Sequence, residues 1–192
     1  NPCAAKNPCA AKNPCAANPC NPCGAQATAE LRGGEAKVAY NCLKGLLKAG
    51  YTKSGDPSAK NYMKWANYAT TPYQSATHGD RYVNNYANVK GSAYGKYEKS
   101  GTFPVGAIMA KDSFLAVPNG RVTPGPLFLM EKMPRGFNKS SGDWRYTLIM
   151  ASGKMMGTTK GQGGQSVAFC IECHASVAEQ DHLFFIPEEV RK

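Results

Sequence analysis

The sequence contains no long hydrophobic run. No stretch of its 192 residues approaches the roughly 20 consecutive apolar residues with which a helix crosses a bilayer, so the sequence predicts no transmembrane helix. The chain starts at Asn1 with neither a basic leader nor an apolar signal core, and we expect it to be a mature product. Its length suits one well-buried core better than two.

Acidic side chains are scarce. The chain has 13 of them against 23 basic ones, which gives a net charge of +10. The lysines are scattered singly, and no nucleic-acid-binding motif accompanies them, so the sequence predicts no nucleic-acid partner. A basic surface of this kind would attract an acidic redox partner protein or an anionic membrane face. It could also serve solubility alone.

Histidine is scarcer still, with three residues in the chain, and one of them completes a specific motif. Cys170-Ile171-Glu172-Cys173-His174 is a C-x-x-C-H sequence, the attachment signature of a c-type haem. Two cysteines three apart on a helix project from one face, so both thiols can add to the vinyl groups of one porphyrin. The adjacent His174 can then supply an imidazole nitrogen to the iron as its proximal ligand. The motif predicts one covalent haem c bound through Cys170, Cys173 and His174.

The motif has three other interpretations: a redox C-x-x-C, half of a zinc site and an accident of composition. A zinc site needs about four ligands, and the only other C-x-x-C is Cys20-Asn21-Pro22-Cys23. That second pair is followed by Gly24 instead of histidine, so no haem is expected there.

The first 23 residues are a degenerate repeat in which Asn-Pro-Cys occurs five times. The prolines prevent a regular helix, so we predict a tail over residues 1–26 and a haem-binding domain over residues 27–192. Removing the two haem cysteines leaves six: Cys3, Cys9, Cys15, Cys20, Cys23 and Cys42. They could form three disulfides, bind a soft metal such as Cu(I) or zinc, or cross-link the protein to a partner. A mobile repetitive tail with adventitious disulfides is the fourth alternative.

Covalent haem and eight cysteines suit an oxidising compartment. We therefore expect a bacterial periplasmic or extracellular location.

Hydrophobic periodicity predicts an α+β domain in which helices flank a central antiparallel sheet. The expected helices cover residues 29–47, 58–68, 87–97 and 166–179, with Gly50 as a stop signal after the first. A segment that opens at His78 and three later runs separated by Pro/Gly/Asn turns have strand character. The three runs are residues 105–111, 127–133 and 144–150.

The order of motifs from His78 onward resembles the cytochrome P-460 family over roughly residues 58–186. The elements that carry the resemblance are His78-Gly79; Phe103-Pro104-Val105-Gly106-Ala107-Ile108 leading to Lys111; Leu129-Met130-Glu131-Lys132; Gly136-Phe137-Asn138; Gly142-Asp143-Trp144-Arg145-Tyr146; Cys170-Ile171-Glu172-Cys173-His174; and Asp181-His182-Leu183-Phe184. The repeat tail falls outside this match.

The resemblance implies an antiparallel sheet with flanking helices, frequent dimerisation, and one haem whose distal side admits small nitrogen species. Members of this family oxidise hydroxylamine when a lysine is cross-linked to the porphyrin. Relatives called cytochrome c-prime beta lack the link and bind nitric oxide. Lys111 stands at the position of the family's lysine, so the resemblance implies a cross-linking role for it.

Two residues are candidates for catalytic roles. Met109 and Lys111 share one face of a strand by period two, so Lys111 points at the haem if that face lines its pocket. Otherwise it extends out of the strand end into water. Glu131 lies within an apolar run, where a carboxylate could take protons from a substrate. Its alternative is a surface pair with Lys132.

The second axial position of the iron has three alternatives: no protein ligand, Met109 or His78. His182 follows His174 by eight residues, about 12 Å along a helix, and would project from a similar side. It is badly placed to bind the opposite haem face.

Together these features predict a secreted single-haem c-type cytochrome with redox or electron-transfer function, and activity toward hydroxylamine or nitric oxide as a further hypothesis. The alternative is a structural subunit whose Cys-rich tail docks it in a larger electron-transfer complex or polymer. Either way, we expect a homo-oligomer or larger assembly.

Overall fold

The structure is a computed structural model that describes residues 29–32, 34–118 and 120–192. The predictions for the repeat tail, including the state of Cys3, Cys9, Cys15, Cys20 and Cys23, lie outside the described residues. None of the helices in the described ranges is long and apolar enough to cross a membrane.

The described residues form one antiparallel sheet of eight strands, as the predicted α+β class requires. The strands are β1 Ala66–Asn67, β2 Tyr73–Ser75, β3 Arg81–Ala87, β4 Ile108–Ala116, β5 Val122–Pro124, β6 Leu127–Lys132, β7 Trp144–Ile149 and β8 Met155–Thr158. Their order is β1-β3-β4-β6-β7-β8, with β2 beside β3 and β5 beside β4. The runs predicted over 127–133 and 144–150 are β6 and β7. The run predicted over 105–111 corresponds to β4, which begins three residues later and extends to Ala116, and the segment predicted to open at His78 contains β3. The short strands β1, β2, β5 and β8 were not predicted.

The sheet buries apolar side chains on both faces. Because successive residues of a strand point to opposite sides, each long strand contributes to two separate hydrophobic clusters. The first face includes Ala110, Phe114 and Leu129, and the N-terminal helix packs on it. The second face includes Met109 and Met130 and is covered by C-terminal segments.

The N-terminal helix, α1, runs from Glu35 to Thr52, later at both ends than predicted. Its buried side is made largely of Ala36, Ala39, Tyr40, Leu43, Leu47 and Tyr51. Two apolar residues of the helix, Val38 and Leu46, lie outside this buried side and are 54% and 52% exposed. Gly50 does not stop the helix. It allows close packing, since a Cβ there would lie 2.0 Å from the carbonyl oxygen of Ala151.

The second helix, α2, is Pro57–Asn61, followed by a 3-10 turn over Tyr62–Lys64. Asp56 caps it by accepting a hydrogen bond from the backbone N–H of Ala59 at 2.9 Å, and a proline occupies the first turn. The helix predicted over residues 58–68 therefore ends early. The chain turns into β1 because that strand pairs with β3.

The remaining helical segments are short. The helix predicted over 87–97 is a 3-10 segment, Val89–Lys99, interrupted by the left-handed backbone of Tyr97. The helix predicted over 166–179 is divided into a 3-10 turn Gly164–Val167, α3 Ala168–His174 and a 3-10 segment Ala175–Gln180. Among these later segments, only α3 is a regular α-helix.

A buried carboxylate lies beneath the first face of the sheet. Asp112 on β4 is 0% exposed. The hydroxyls of Tyr40 and Tyr62 donate to its Oδ2 at 2.7 and 3.0 Å, and the amide of Asn84 donates to its Oδ1 at 3.2 Å. These contacts tie α1 and the 3-10 turn after α2 to the sheet. Burial raises the pKa of Asp112 to about 6 despite the hydrogen bonds, which oppose the shift.

Asp112 should make stability depend on pH. Its folded pKa exceeds the ordinary value of about 3.9, so its contribution is greatest below about pH 4 and is lost as pH rises through about 6. We subtract the free energy of unfolding of Asp112→Asn from that of the unmutated protein. This difference should fall as the pH rises, by at most about 1.4 kcal/mol per pH unit in this window. Urea titrations between pH 4 and 7.5 measure this difference. A difference that is flat, or that rises with pH, would contradict the assignment.

Candidate haem site

A cavity of about 370 Å³ lies against the second face of the sheet, at the C-terminal helical segments. It brings together the three motif residues Cys170, Cys173 and His174 and, from distant strands and turns, His78 and Lys111. A concave, mostly apolar site of this size is typical of pockets that bind organic cofactors.

The two cysteines project from α3 at positions i and i+3, which share one helix face. Both thiols are free; Cys170 is half-buried and Cys173 is exposed. Burial raises the pKa of the Cys170 thiol to about 11. Among the described residues no group of three or more His, Cys, Asp or Glu side chains is arranged to hold a metal ion.

The imidazole of His174 is held in one tautomer. Its Nδ1 lies 2.7 Å from the backbone carbonyl oxygen of His182, and because a carbonyl only accepts, Nδ1 carries the proton. The ring packs edge-on against Phe184, with centroids 5.2 Å apart. Burial lowers the pKa of His174 to about 4, so the ring is neutral near pH 7. The unprotonated Nε2 is then available as a ligand.

Lys111 contributes to the same cavity. It lies opposite Phe128 of β6 and Asn85 of β3, and all three side chains line the cavity. Its side chain therefore does not extend from the strand end into water. Burial lowers the pKa of the Lys111 ammonium to about 8, and Cys173 opposes that shift. A larger fraction of the neutral, nucleophilic amine is thus present than for an ordinary surface lysine.

Both side chains considered as second axial ligands also line the cavity. The Nδ1 of His78 lies 2.8 Å from the hydroxyl of Ser75, and its ring packs edge-on against Phe128 with centroids 4.8 Å apart. The pKa of His78 is lowered to about 2, first by burial and then by Lys111 and His174. Met109 is buried on the sheet face that it shares with Lys111.

Glu131 does not reach this cavity. It is on the first face of the sheet, where it forms an ion pair with Arg145, its neighbour on β7. The two side chains line a separate cavity of about 210 Å³. The predicted pair with Lys132 is not formed; Lys132 is buried on the second face and binds Asp181. The structure therefore brings Lys111, but not Glu131, to the motif residues.

The cavity contains two buried polar atoms that fit an anionic organic group. Nε of Arg81 and Oη of Tyr146 have no hydrogen-bond partner among the described residues, and both side chains line the cavity. Unsatisfied buried groups are costly, and a carboxylate of a haem would accept a hydrogen bond from Arg81. Sequence reasoning missed these two residues. Tyr146 could have been found from its period-two spacing with Trp144 on a predicted strand.

The fold and the site together define a haem-binding cytochrome. They combine a C-x-x-C-H helix, a neutral histidine with a free Nε2 and an apolar cavity with unpaired donors. The chain belongs to the Cytochrome P460 family, whose model matches residues 59–185. The resemblance identified from the motif order is thereby confirmed. A search of the curated proteins found no match.

If Arg81 binds a haem carboxylate, Arg81→Gln should destabilise the haem-loaded protein more than the haem-free protein. The expected difference is about 1.5–3 kcal/mol, the range for hydrogen bonds to charged groups. Urea unfolding of the loaded protein and of a haem-free Cys170→Ala/Cys173→Ala background measures it. Arg145→Gln is the matched control, because Arg145 faces the other cavity. Equal losses from Arg81→Gln in the two backgrounds would contradict the assignment.

Proposed function

We propose that the protein is a secreted c-type cytochrome with one haem bound covalently through Cys170 and Cys173, with His174 as proximal ligand. The observation that carries this proposal is the single cavity that contains both free thiols, the neutral imidazole and Lys111. When bound, the haem supplies a redox-active iron.

The residues around the cavity have distinct tasks. His174 presents Nε2 because its Nδ1 is hydrogen-bonded. Apolar side chains from the sheet and the C-terminal segment, including Phe128, Met130 and Leu183, exclude water. Nε of Arg81 would donate its unpaired hydrogen bond to a haem carboxylate, and Tyr146 lies beside the ring of His174, with centroids 5.2 Å apart. These features support a site whose interior excludes water and which carries polar groups at only a few positions.

Activity toward small nitrogen species is the further part of the proposal. Lys111 and His78 both line the cavity, where Lys111 can exchange a proton with a small polar molecule and His78 can form a hydrogen bond to it. A neutral Lys111 amine bonded to the porphyrin would favour hydroxylamine oxidation. An unlinked Lys111 would leave nitric oxide binding or electron relay. Glu131 is not assigned a step, because it lies on the other face of the sheet.

The proposal includes the partner and the compartment. A net charge of +10 supports an acidic redox partner protein, and thioether attachment with eight cysteines supports a bacterial periplasmic or extracellular location. A homo-oligomer or larger assembly is proposed on the family's frequent dimerisation. The alternative of a docking subunit depends on the repeat tail, and no described residue favours it.

Covalent attachment predicts that haem stays with the denatured chain. Haem-dependent peroxidase staining should persist on a denaturing gel, and Cys170→Ala/Cys173→Ala should abolish it because no thioether can form. Cys42→Ala is the matched control and should keep the stain, since Cys42 belongs to α1 on the opposite side of the sheet. Extraction of the haem by acid-acetone from the unmutated chain would rule out covalent attachment.

Hydroxylamine oxidation, if present, should depend on Lys111. Peptide mass spectrometry should then show the Lys111 segment joined through haem to the α3 peptide, and Lys111→Ala should abolish oxidation while the thioethers stay intact. Lys90→Ala, at an exposed lysine, should change neither. A trypsin-cleavable Lys111 together with an ordinary c-type spectrum in the unmutated protein would exclude the cross-link. Nitric oxide binding or electron relay would then remain as the proposed functions.

A further inference from the structure

The turn that follows the ligand helix has an unusual backbone. Asp181 and His182 are consecutive residues with φ of 52° and 62°. Left-handed conformations of non-glycine residues are unfavourable and persist only where surrounding contacts impose them. Contacts from outside the turn must therefore stabilise its backbone conformation.

A buried ion pair provides the main contact. Nζ of Lys132 on β6 lies 2.5 Å from Oδ1 of Asp181, and each side chain is only 10% exposed. The same Nζ donates to the carbonyl oxygen of Gly142 at 2.8 Å. The other carboxylate oxygen accepts from the backbone N–H of Phe103 at 2.8 Å. Each ion thus makes a second hydrogen bond beyond the pair itself, and such additional bonds help a buried pair to offset its desolvation.

Two further contacts restrict the turn. The indole N–H of Trp144 on β7 donates to the backbone carbonyl of Asp181 at 2.8 Å. Gly142 lies directly against the ring of His182, because a Cβ at that position would be 2.4 Å from the ring. Side-chain and backbone groups from three distant segments therefore fix residues 181 and 182.

This turn positions the hydrogen-bond acceptor of the proximal histidine. The carbonyl oxygen of His182, one residue after the ion-paired Asp181, lies 2.7 Å from Nδ1 of His174. No other hydrogen bond of the His174 ring is found among the described residues. A shift of the turn would lengthen or bend this bond directly.

We propose that Lys132 and Asp181 are positioning residues that set the donor strength of His174 toward the iron. The inference rests on the proposed function, in which His174 is the proximal ligand. A short Nδ1–H···O=C bond raises the basicity of the ligating nitrogen. Ligand basicity and outer hydrogen bonds are among the means by which a protein tunes haem iron. Lys132 lies 49 residues before Asp181 in the sequence, and their ion pair keeps the hydrogen bond between His174 and His182 short.

The test uses Lys132→Met/Asp181→Asn in the haem-loaded full chain. This change removes both charges and leaves the local net charge at zero, so a direct field effect on the iron is minimal. Asparagine also tolerates the left-handed backbone. We expect the reduction potential to rise and, where the ferrous iron is five-coordinate, the Fe–His stretching frequency to fall. Resonance Raman spectroscopy and redox titration measure the two shifts.

The matched control is Glu131→Gln/Arg145→Gln. It removes an ion pair that joins β6 to β7 on the opposite face of the sheet from Lys132. We expect neither the frequency nor the potential to move in this control. Equal shifts in the two double variants would overturn the proposal, because a general loss of stability would then explain them.

Trp144→Phe provides a second route to the same turn if the first variant does not fold. It removes the donor to the Asp181 carbonyl without altering a charge, and the same two shifts are expected. Unchanged frequency and potential in a folded, haem-loaded variant of either kind would overturn the proposal. If the unmutated protein carries no covalent haem, the proposed function fails instead, so the two failures are distinguishable by the gel stain.

Discussion

The alternation of side chains along the antiparallel strands is the constraint on which the rest of this structure depends. Lys111 and Asp112 are adjacent in the chain, yet the pleat sends one into the haem cavity and the other into a buried cluster of hydroxyls. Lys132 and Glu131 are separated in the same way. A shift of pairing by one residue would exchange the two faces and dismantle both sites at once.

The first face acts as the support for the second. Tyr40 on α1 and Tyr62 beyond α2 bond to Asp112 in the middle of β4, which fixes the strand that presents Lys111. Sites built on well-packed strands hold their side chains more precisely than sites built on loops. The fold therefore uses a rigid strand to bring a lysine to the cavity.

The ligand side of the cavity is organised differently. The helix that bears Cys170 and Cys173 is a single short element, and the orientation of His174 depends on a carbonyl eight residues further along. That carbonyl is held in turn by contacts to β6 and β7. The residues proposed to attach the haem thus lie within a few positions of one another, whereas the proposed tuning of the ligand depends on the tertiary structure.

Local spacing alone determined the C-x-x-C-H motif, the long strands and the shared face of Met109 and Lys111, because each depends only on residues a few positions apart. Packing between distant segments determined three other features. They are the side of the sheet on which Glu131 lies, the buried face of α1 and the extension of that helix through Gly50. The ion pair of Lys132 with Asp181 and the unpaired donors of Arg81 and Tyr146 belong to the same group. Strand register and long-range contacts determine which groups these side chains meet, and no local sequence pattern encodes them.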